Sequence, residues 1–460
     1  MTTRRAVSVL AAIVAASLAV SACHTFPRPF AGGGGAPHKR GPDESNRISL
    51  LELNDQLRVS DSLRGQDFFL PAPQPQASWP LPGGTPEQSV ENVDAAPSFQ
   101  IAWRRPIGER SARHSDVEAP PVMADGKVFV MDAMADVSAH DAQTGAQLWR
   151  VDLRPKDKHG RGRNGFGGGI AFDNGKLYVT SGFRLVAELD ANTGHLDWMT
   201  PTDAPLHAAP TVANGRVYVV DVDDELLTFV ETTGVQDWTY QGLTEPARIL
   251  MASSPAVSND TLVASFASGE VVALKTDNGT ELWDQPLSRT TRTNALSEIR
   301  DIAGRPVIYK GDVFAISHAA EMAAIDLRTG TPRWSIPVSG ITTPWPTGDV
   351  VYAIDQSGNV ICASRETGQL YWMTNLNTPP APVEKGKKPP KTVNAVWSSP
   401  IVADSRIIAV SDTGEAVAIN AKTGQVQSRL KLGDDALIGP IAAGGMIYVV
   451  TEAAELIALR

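Results

Sequence analysis

The side chains that could do chemistry are few, and several recur at one position. Asp141, Asp190 and Asp326 open the phrases DAQTG, DANTG and DLRTG. A carboxylate confined to one turn position caps that turn, and the confinement points away from catalysis. The eight histidines are scattered and solitary. RNGFGGGIAF (163–172) is glycine-rich, but no helix signal follows it, so it reads as a softened strand and not as a phosphate cradle. EKGKKPPK (384–391) reads as a solvated basic excursion. Cys362 lies in the strand-like NVICAS, where a buried structural thiol is the ordinary reading. No cluster of Glu, Asn and Asp stands out as a calcium cage.

The remaining cysteine has another setting. MTTRRAVSVLAAIVAASLAVSAC begins with Arg4 and Arg5, continues through an apolar run from Ala6 to Val20, and ends in Ser21-Ala22-Cys23. The run is short for a membrane span and predicts an export signal over residues 1–22. Val20-Ser21-Ala22-Cys23 resembles the lipobox of bacterial lipoproteins, which implies that Cys23 becomes the lipidated N-terminus. Several acyl chains anchor where one would not, at about 0.8 kcal/mol per buried methylene. His24 after the cysteine implies, by the same resemblance, sorting to the outer membrane.

Residues 23–98 are expected to form a lipidated spacer, because FPRPFAGGGGAPHKRGP and LPAPQPQASWPLPGGTP look unable to bury a core. One island, RISLLELNDQLRVSDSL (47–63), has helix-like apolar spacing. Beyond it, 42% hydrophobic and 20% charged residues suffice for a folded domain. The net charge of −10 becomes −12 once Arg4 and Arg5 are removed, and no long basic stripe is present. Nucleic acid is therefore not the expected partner.

The turn that holds the aspartates is one beat of a repeat. Its glycine falls at Gly145, Gly194, Gly234, Gly279, Gly330, Gly368 and Gly424, a mean spacing of about 46 residues. Four positions later stand Trp149, Trp198, Trp238, Trp283, Trp334 and Trp372, with Ser428 in the last copy. A glycine in a tight hairpin meets a positive-φ requirement, and an even offset fixes the tryptophan on one face of the outgoing strand. GKVFVMD, GKLYVTS and GRVYVVD, with five looser versions, supply a second strand, and a Pro- or Gly-led apolar strand precedes each.

Four strands that cannot stand alone, stacked radially, make a propeller blade. The chain stops at ELIALR, one strand short, while FQIAWRRPIG (99–108) has Trp103 but no Thr-Gly turn before it. The expectation is an all-β, eight-bladed propeller over 99–460 with four-stranded antiparallel blades, closed by the N-terminal strand. His207 and His318 are the histidines placed to face its channel.

The repeat resembles the pyrroloquinoline-quinone (PQQ) propeller repeats, a group that contains dehydrogenases. Such enzymes, by that resemblance, carry adjacent cysteines and a calcium ion; this sequence has neither signature, so no cofactor is expected. Lipobox, spacer and propeller together resemble the BamB family of outer-membrane assembly lipoproteins. That resemblance implies a non-enzymatic scaffold facing the periplasm. Its implied partners are the BamA POTRA domains, the other BAM subunits and unfolded outer-membrane proteins. The family's docking loops correspond to PARILMASSP (246–255), with Arg248, Ile249 and Leu250, and NALSEIRDIAGRP (294–306), with Glu298, Arg300 and Asp301. Arg248 is displaced relative to the family arginine, and Ala303 stands where a second acid is expected. A PQQ-dependent dehydrogenase and a lipoprotein for another envelope ligand are the alternatives.

Overall fold

Blade strands of three to six residues with β-branched and aromatic cores, separated by tight turns, leave little choice but antiparallel meanders. A computed structural model describes residues 57–112, 115–157, 160–161, 167–244, 253–287, 301–318, 321–377 and 394–460. The chain divides into Met1–Asp55 and Gln56–Arg460, and all described residues belong to the second unit. Cys23 lies outside them, as do residues 47–56 of the apolar island and most of the 381–394 loop.

Eight four-stranded antiparallel sheets follow one another around a ring, with a small hairpin, Lys156–Asp157 with Gly160–Arg161, as the only additional sheet among the described residues. Blades 1 to 7 run from inner to outer strand in chain order. Their inner strands are Val122–Ala124, Gly168–Asp173, Thr211–Ala213, Ala256–Ser258, Val307–Tyr309, Trp345–Thr347 and Ile401–Ala403. Blade 8 is made of Ile441–Ala443, Met446–Val450 and Glu455–Leu459, completed by Ile101–Pro106. Trp103 sits opposite Ala458 and Pro106 opposite Glu455, while Gln100 and Arg460 exchange backbone hydrogen bonds at 3.2 and 2.9 Å. The first and last strands of the propeller thus share one sheet, which closes the ring.

The Thr-Gly turn and the tryptophan turn out to be one device. Each turn glycine has φ between 66° and 73°. Each is also pressed against the tryptophan of the preceding blade: a methyl group on Gly145 would lie 2.6 Å from Trp103, on Gly194 2.7 Å from Trp149, and on Gly234 2.3 Å from Trp198. Gly279, Gly330, Gly368 and Gly424 meet Trp238, Trp283, Trp334 and Trp372 in the same way. The indole N–H groups of Trp103 and Trp372 are buried without a partner, while in the other five of the seven the indole also donates to a backbone carbonyl of that next blade, as from Trp149 to Ala191 at 3.2 Å and from Trp334 to Arg365 at 2.8 Å. Its other neighbour is the second-strand aromatic of its own sheet, with ring centroids 6.0 Å apart for Phe129 and Trp149 and 6.1 Å for Trp103 and Tyr448.

Ser428 is explained by the same geometry. Blade 8 has no Thr-Gly turn, since its fourth strand is Ile101–Pro106, which precedes blade 1 in the chain. A tryptophan at 428 would find no glycine to rest on. The aspartates that open the turns do cap them: Asp141 accepts the backbone N–H and the hydroxyl of Thr144 at 2.8 and 2.7 Å.

The spacer reading is corrected from residue 57 onward. Phe68, Trp79, Leu81, Val93, Ala95 and Ala96 are buried, and most join the hydrophobic core beneath the last blades. Residues 57–63 form an isolated bridge from Val59 to Leu370 followed by a turn, not a helix. The segment then crosses the ends of the inner strands as a strap that reaches all eight blades. Trp79 and Met123 exchange backbone hydrogen bonds at 2.6 and 2.9 Å, and Phe172, Val257 and Ile308 donate to Pro80, Pro86 and Glu87. Gln88 donates to Thr211, Trp345 to the Glu91 carbonyl, Val93 to Val402, and Ala96 to Gly445. Proline and glycine reduced the apolar count without removing it: extended chain needs no periodicity when the free inner-strand ends supply its hydrogen-bond partners.

Candidate functional site

Strand parity gives the ring two unlike faces. The hairpins between first and second strands and the Thr-Gly turns emerge together on one face, as the bond from Ala142 N–H to the Gly126 carbonyl at 3.0 Å shows. The strap covers that face at the axis. The turns between second and third strands, and the connectors from each outer strand to the next inner one, emerge on the opposite face. Both candidate docking loops are such connectors, between adjacent blades: one from Gln241 to Ala256, the next from Pro286 to Val307.

Of the docking residues, Arg248, Ile249, Leu250, Glu298 and Arg300 lie outside the described residues. Asp301 is described, and it is 2% exposed. Its carbonyl accepts the N–H of His318 at 2.9 Å, and Ile302 and Ala303 beside it are buried. Asp301 therefore sits at the packed root of its connector and not on a solvated rim. The roots of the two connectors are tied together: Ser253 donates its hydroxyl to the Gly304 carbonyl at 3.2 Å and accepts one from Ser265 at 3.0 Å. Gly304 itself allows no side chain, because a Cβ would stand 2.4 Å from the Thr342 carbonyl oxygen.

The axis on this face holds a cavity of about 410 Å³, lined by connectors from around the ring. Asp116 and Glu118 enter from the connector before blade 1, His207 from that before blade 3, Arg305 from that before blade 5, and Glu452 from a turn of blade 8. Burial, with Asp116 and Glu452 near it, pushes the Glu118 carboxyl up to about 8. Burial alone pushes Arg305 down to about 10. His207 lines the cavity as the sequence suggested; His318 does not, and its Nδ1 is buried without a hydrogen-bond partner.

Sequence reasoning missed Glu118 and Arg305 because each is a lone charge in a non-repeating connector. Only the ring closure makes them neighbours of one space. Cys362 is fully buried and unpaired, with its thiol pushed well up by burial. Among the described residues no group of three or more His, Cys, Asp or Glu is arranged to hold a metal ion.

An eight-bladed ring with these turns defines the class: a propeller of PQQ-type repeats, whose one-sided cavity and tied connectors suit binding at the connector face. Solved structures of this shape serve different ends. BamB from Moraxella catarrhalis matches with a TM-score of 0.61 at 16% identity, over 77% of this chain and 99% of that one. A quinohemoprotein alcohol dehydrogenase from Pseudomonas putida HK5 also matches at 0.61, with 14% identity, over 83% of this chain and 80% of that one. Those likenesses establish the fold alone.

Sequence comparison goes further. A family model described as outer membrane protein assembly factor BamB matches residues 133–374 and 383–460. The outer membrane protein assembly factor BamB of Escherichia coli K12 is 24% identical over 373 residues, 79% of this chain and 91% of that protein. The chain belongs to the BamB family.

Proposed function

We propose that this protein is a non-enzymatic scaffold of outer-membrane protein assembly, lipid-anchored through Cys23 and facing the periplasm. It docks the POTRA domains of the barrel-inserting subunit through the connectors before blades 4 and 5. Arg248, Ile249 and Leu250 supply one half of the contact, and Glu298 and Arg300 the other. Asp301, being buried, acts by holding the second connector at its root. The observation that carries the reading is membership of the assembly-factor family over most of the propeller. The Ser253–Gly304 tie supports it, because it fixes two adjacent connectors in one frame, and interfaces concentrate their binding energy in a few well-held anchors.

The test is affinity recovery of the tagged full chain from detergent-solubilised envelopes. The barrel-inserting subunit is expected with the wild type and strongly reduced with Arg248→Glu combined with Glu298→Lys. Wild-type chain recovered without that subunit would end the proposal. Equal recovery by the double variant would move the interface elsewhere.

A further inference from the structure

The cavity on the connector face has two walls of opposite character. Arg305 stands on one. Its backbone N–H donates to the Thr343 hydroxyl at 3.1 Å, yet its Nε is buried with no partner, and no carboxylate in the described structure pairs with its guanidinium. On the other wall are Asp116, Glu118 and Glu452. Blade order settles their placement: Arg305 leads into blade 5, Asp116 and Glu118 lead into blade 1, and Glu452 belongs to blade 8, the neighbour of blade 1. In a ring of eight, blades 1 and 5 are opposite. Cation and carboxyls therefore face each other across the axis, and among the described residues no ion pair joins them.

A charge withdrawn from water without a partner is costly, and cores dispense with such groups unless something compensates them. Here Arg305, with no carboxylate partner, and Glu118, with no cation beside it in the described structure, line one space, while the neighbouring Glu452 accepts the Ser111 hydroxyl. Its volume of about 410 Å³ is within the range of small-molecule sites. The strap occupies the opposite face of the ring, so it supplies neither counter-charge. Exposed Asp116 and Leu437 at the rim leave the cavity accessible from the connector side.

We propose that this cavity binds a small zwitterion, its anionic group on the Arg305 guanidinium and its primary ammonium against Glu118, Asp116 and Glu452. A simple anion would be repelled by the carboxyl wall and a simple amine by the arginine. Only a molecule carrying both charges satisfies both walls. The hydroxyl of Thr343, held by the Arg305 N–H, and that of Ser399, which accepts the Thr343 N–H at 2.9 Å, stand beside the anionic end. A planar guanidinium suits either a carboxylate or a phosphate, so a short peptide with free termini and a phosphoethanolamine headgroup share the required chemistry.

Calorimetric titration of the full chain tests this with four probes: dialanine, N-acetyl-dialanine, dialanine amide and glycerophosphoethanolamine. Saturable binding of dialanine or glycerophosphoethanolamine is expected. Blocking either terminus of dialanine should weaken binding by about tenfold or more, the scale of a lost charge-assisted pair. Arg305→Gln should abolish the preference for dialanine over its amide, and Glu118→Gln the preference over its acetylated form. The melting temperature of Arg305→Gln should equal or exceed that of the wild type, which separates lost recognition from lost folding. Preference for glycerophosphoethanolamine would assign the anionic end to a phosphate, and preference for dialanine to a carboxylate. No heat with either free zwitterion, or binding that Arg305→Gln leaves unchanged, would overturn the proposal.

Discussion

The two faces of the ring obey different rules. On the turn face blades 1 to 7 repeat the same device, a positive-φ glycine beneath the tryptophan of the preceding blade, and the strap adds hydrogen bonds to the inner-strand ends. The aspartates that cap the turns are satisfied within the fold, although the indole N–H groups of Trp103 and Trp372 are buried there without a partner. On the connector face no two connectors are alike, and ionisable groups are drawn inward: the Nε of Arg305 and the Nδ1 of His318 are buried without a partner, and burial pushes the Glu118 carboxyl up to about 8. Repetition in a closed ring marks what each sheet needs from the next one. Departure from repetition marks what the protein does beyond standing up, since isolated charges in the channel contribute nothing to closure.

Four substitutions probe this contrast. The largest effect is expected on the strap, because Trp79 is 1% exposed and stacks on Trp345 with centroids 6.1 Å apart. Trp79→Ala should lower unfolding free energy by about 3–5 kcal/mol, read from the urea midpoint at constant slope. A spacer would show almost no change, so a shift under about 0.5 kcal/mol would remove the strap from the core. Next comes Gly145→Val, which combines a left-handed backbone with a contact 2.6 Å from Trp103; the cost should be about 3 kcal/mol, with altered near-ultraviolet dichroism of the indole.

On the connector face the sign reverses. The folded-state value of Glu118 lies above its unfolded value, so the group costs nothing below about pH 4.5 and destabilises the fold increasingly as pH rises toward about 8. Glu118→Gln should therefore stabilise the protein at pH 8.5, by about 1–2 kcal/mol after allowance for partial exposure, and should be neutral at pH 4. Thermal melts at the two pH values decide it; equal effects at both would show that folding leaves the carboxyl's titration unshifted. The smallest effect should be at the seam. Ser428→Trp restores the repeat in letters but meets no glycine turn in blade 8, so stability should move by no more than about 0.5 kcal/mol.

The ring was readable because its signals are local and repeated. Glycine and tryptophan four apart fix a turn and a strand face, and Trp103 at one end with ELIALR at the other shows where the ring closes. Even the substitution of Ser428 for tryptophan was visible, although its reason was not. The strap was misread because its residues have no periodicity: Phe68, Trp79 and Val93 are isolated apolar side chains among prolines, and only the groove they enter makes them core. Asp301 was misplaced for a related cause. A charged letter in a loop looks like an exposed rim until the packing of Ile302 and Ala303 beside it draws it inward.

By itself, then, the amino-acid order determined the number of blades, the face each tryptophan occupies and the way the circle shuts, because backbone geometry and side-chain parity operate over a few neighbouring positions. Which face the N-terminal segment seals, and which solitary charges end up sharing the axis, was decided only in three dimensions. Glu118 and Arg305 are far apart along the chain, and what sets them across one cavity is the completed circle of sheets.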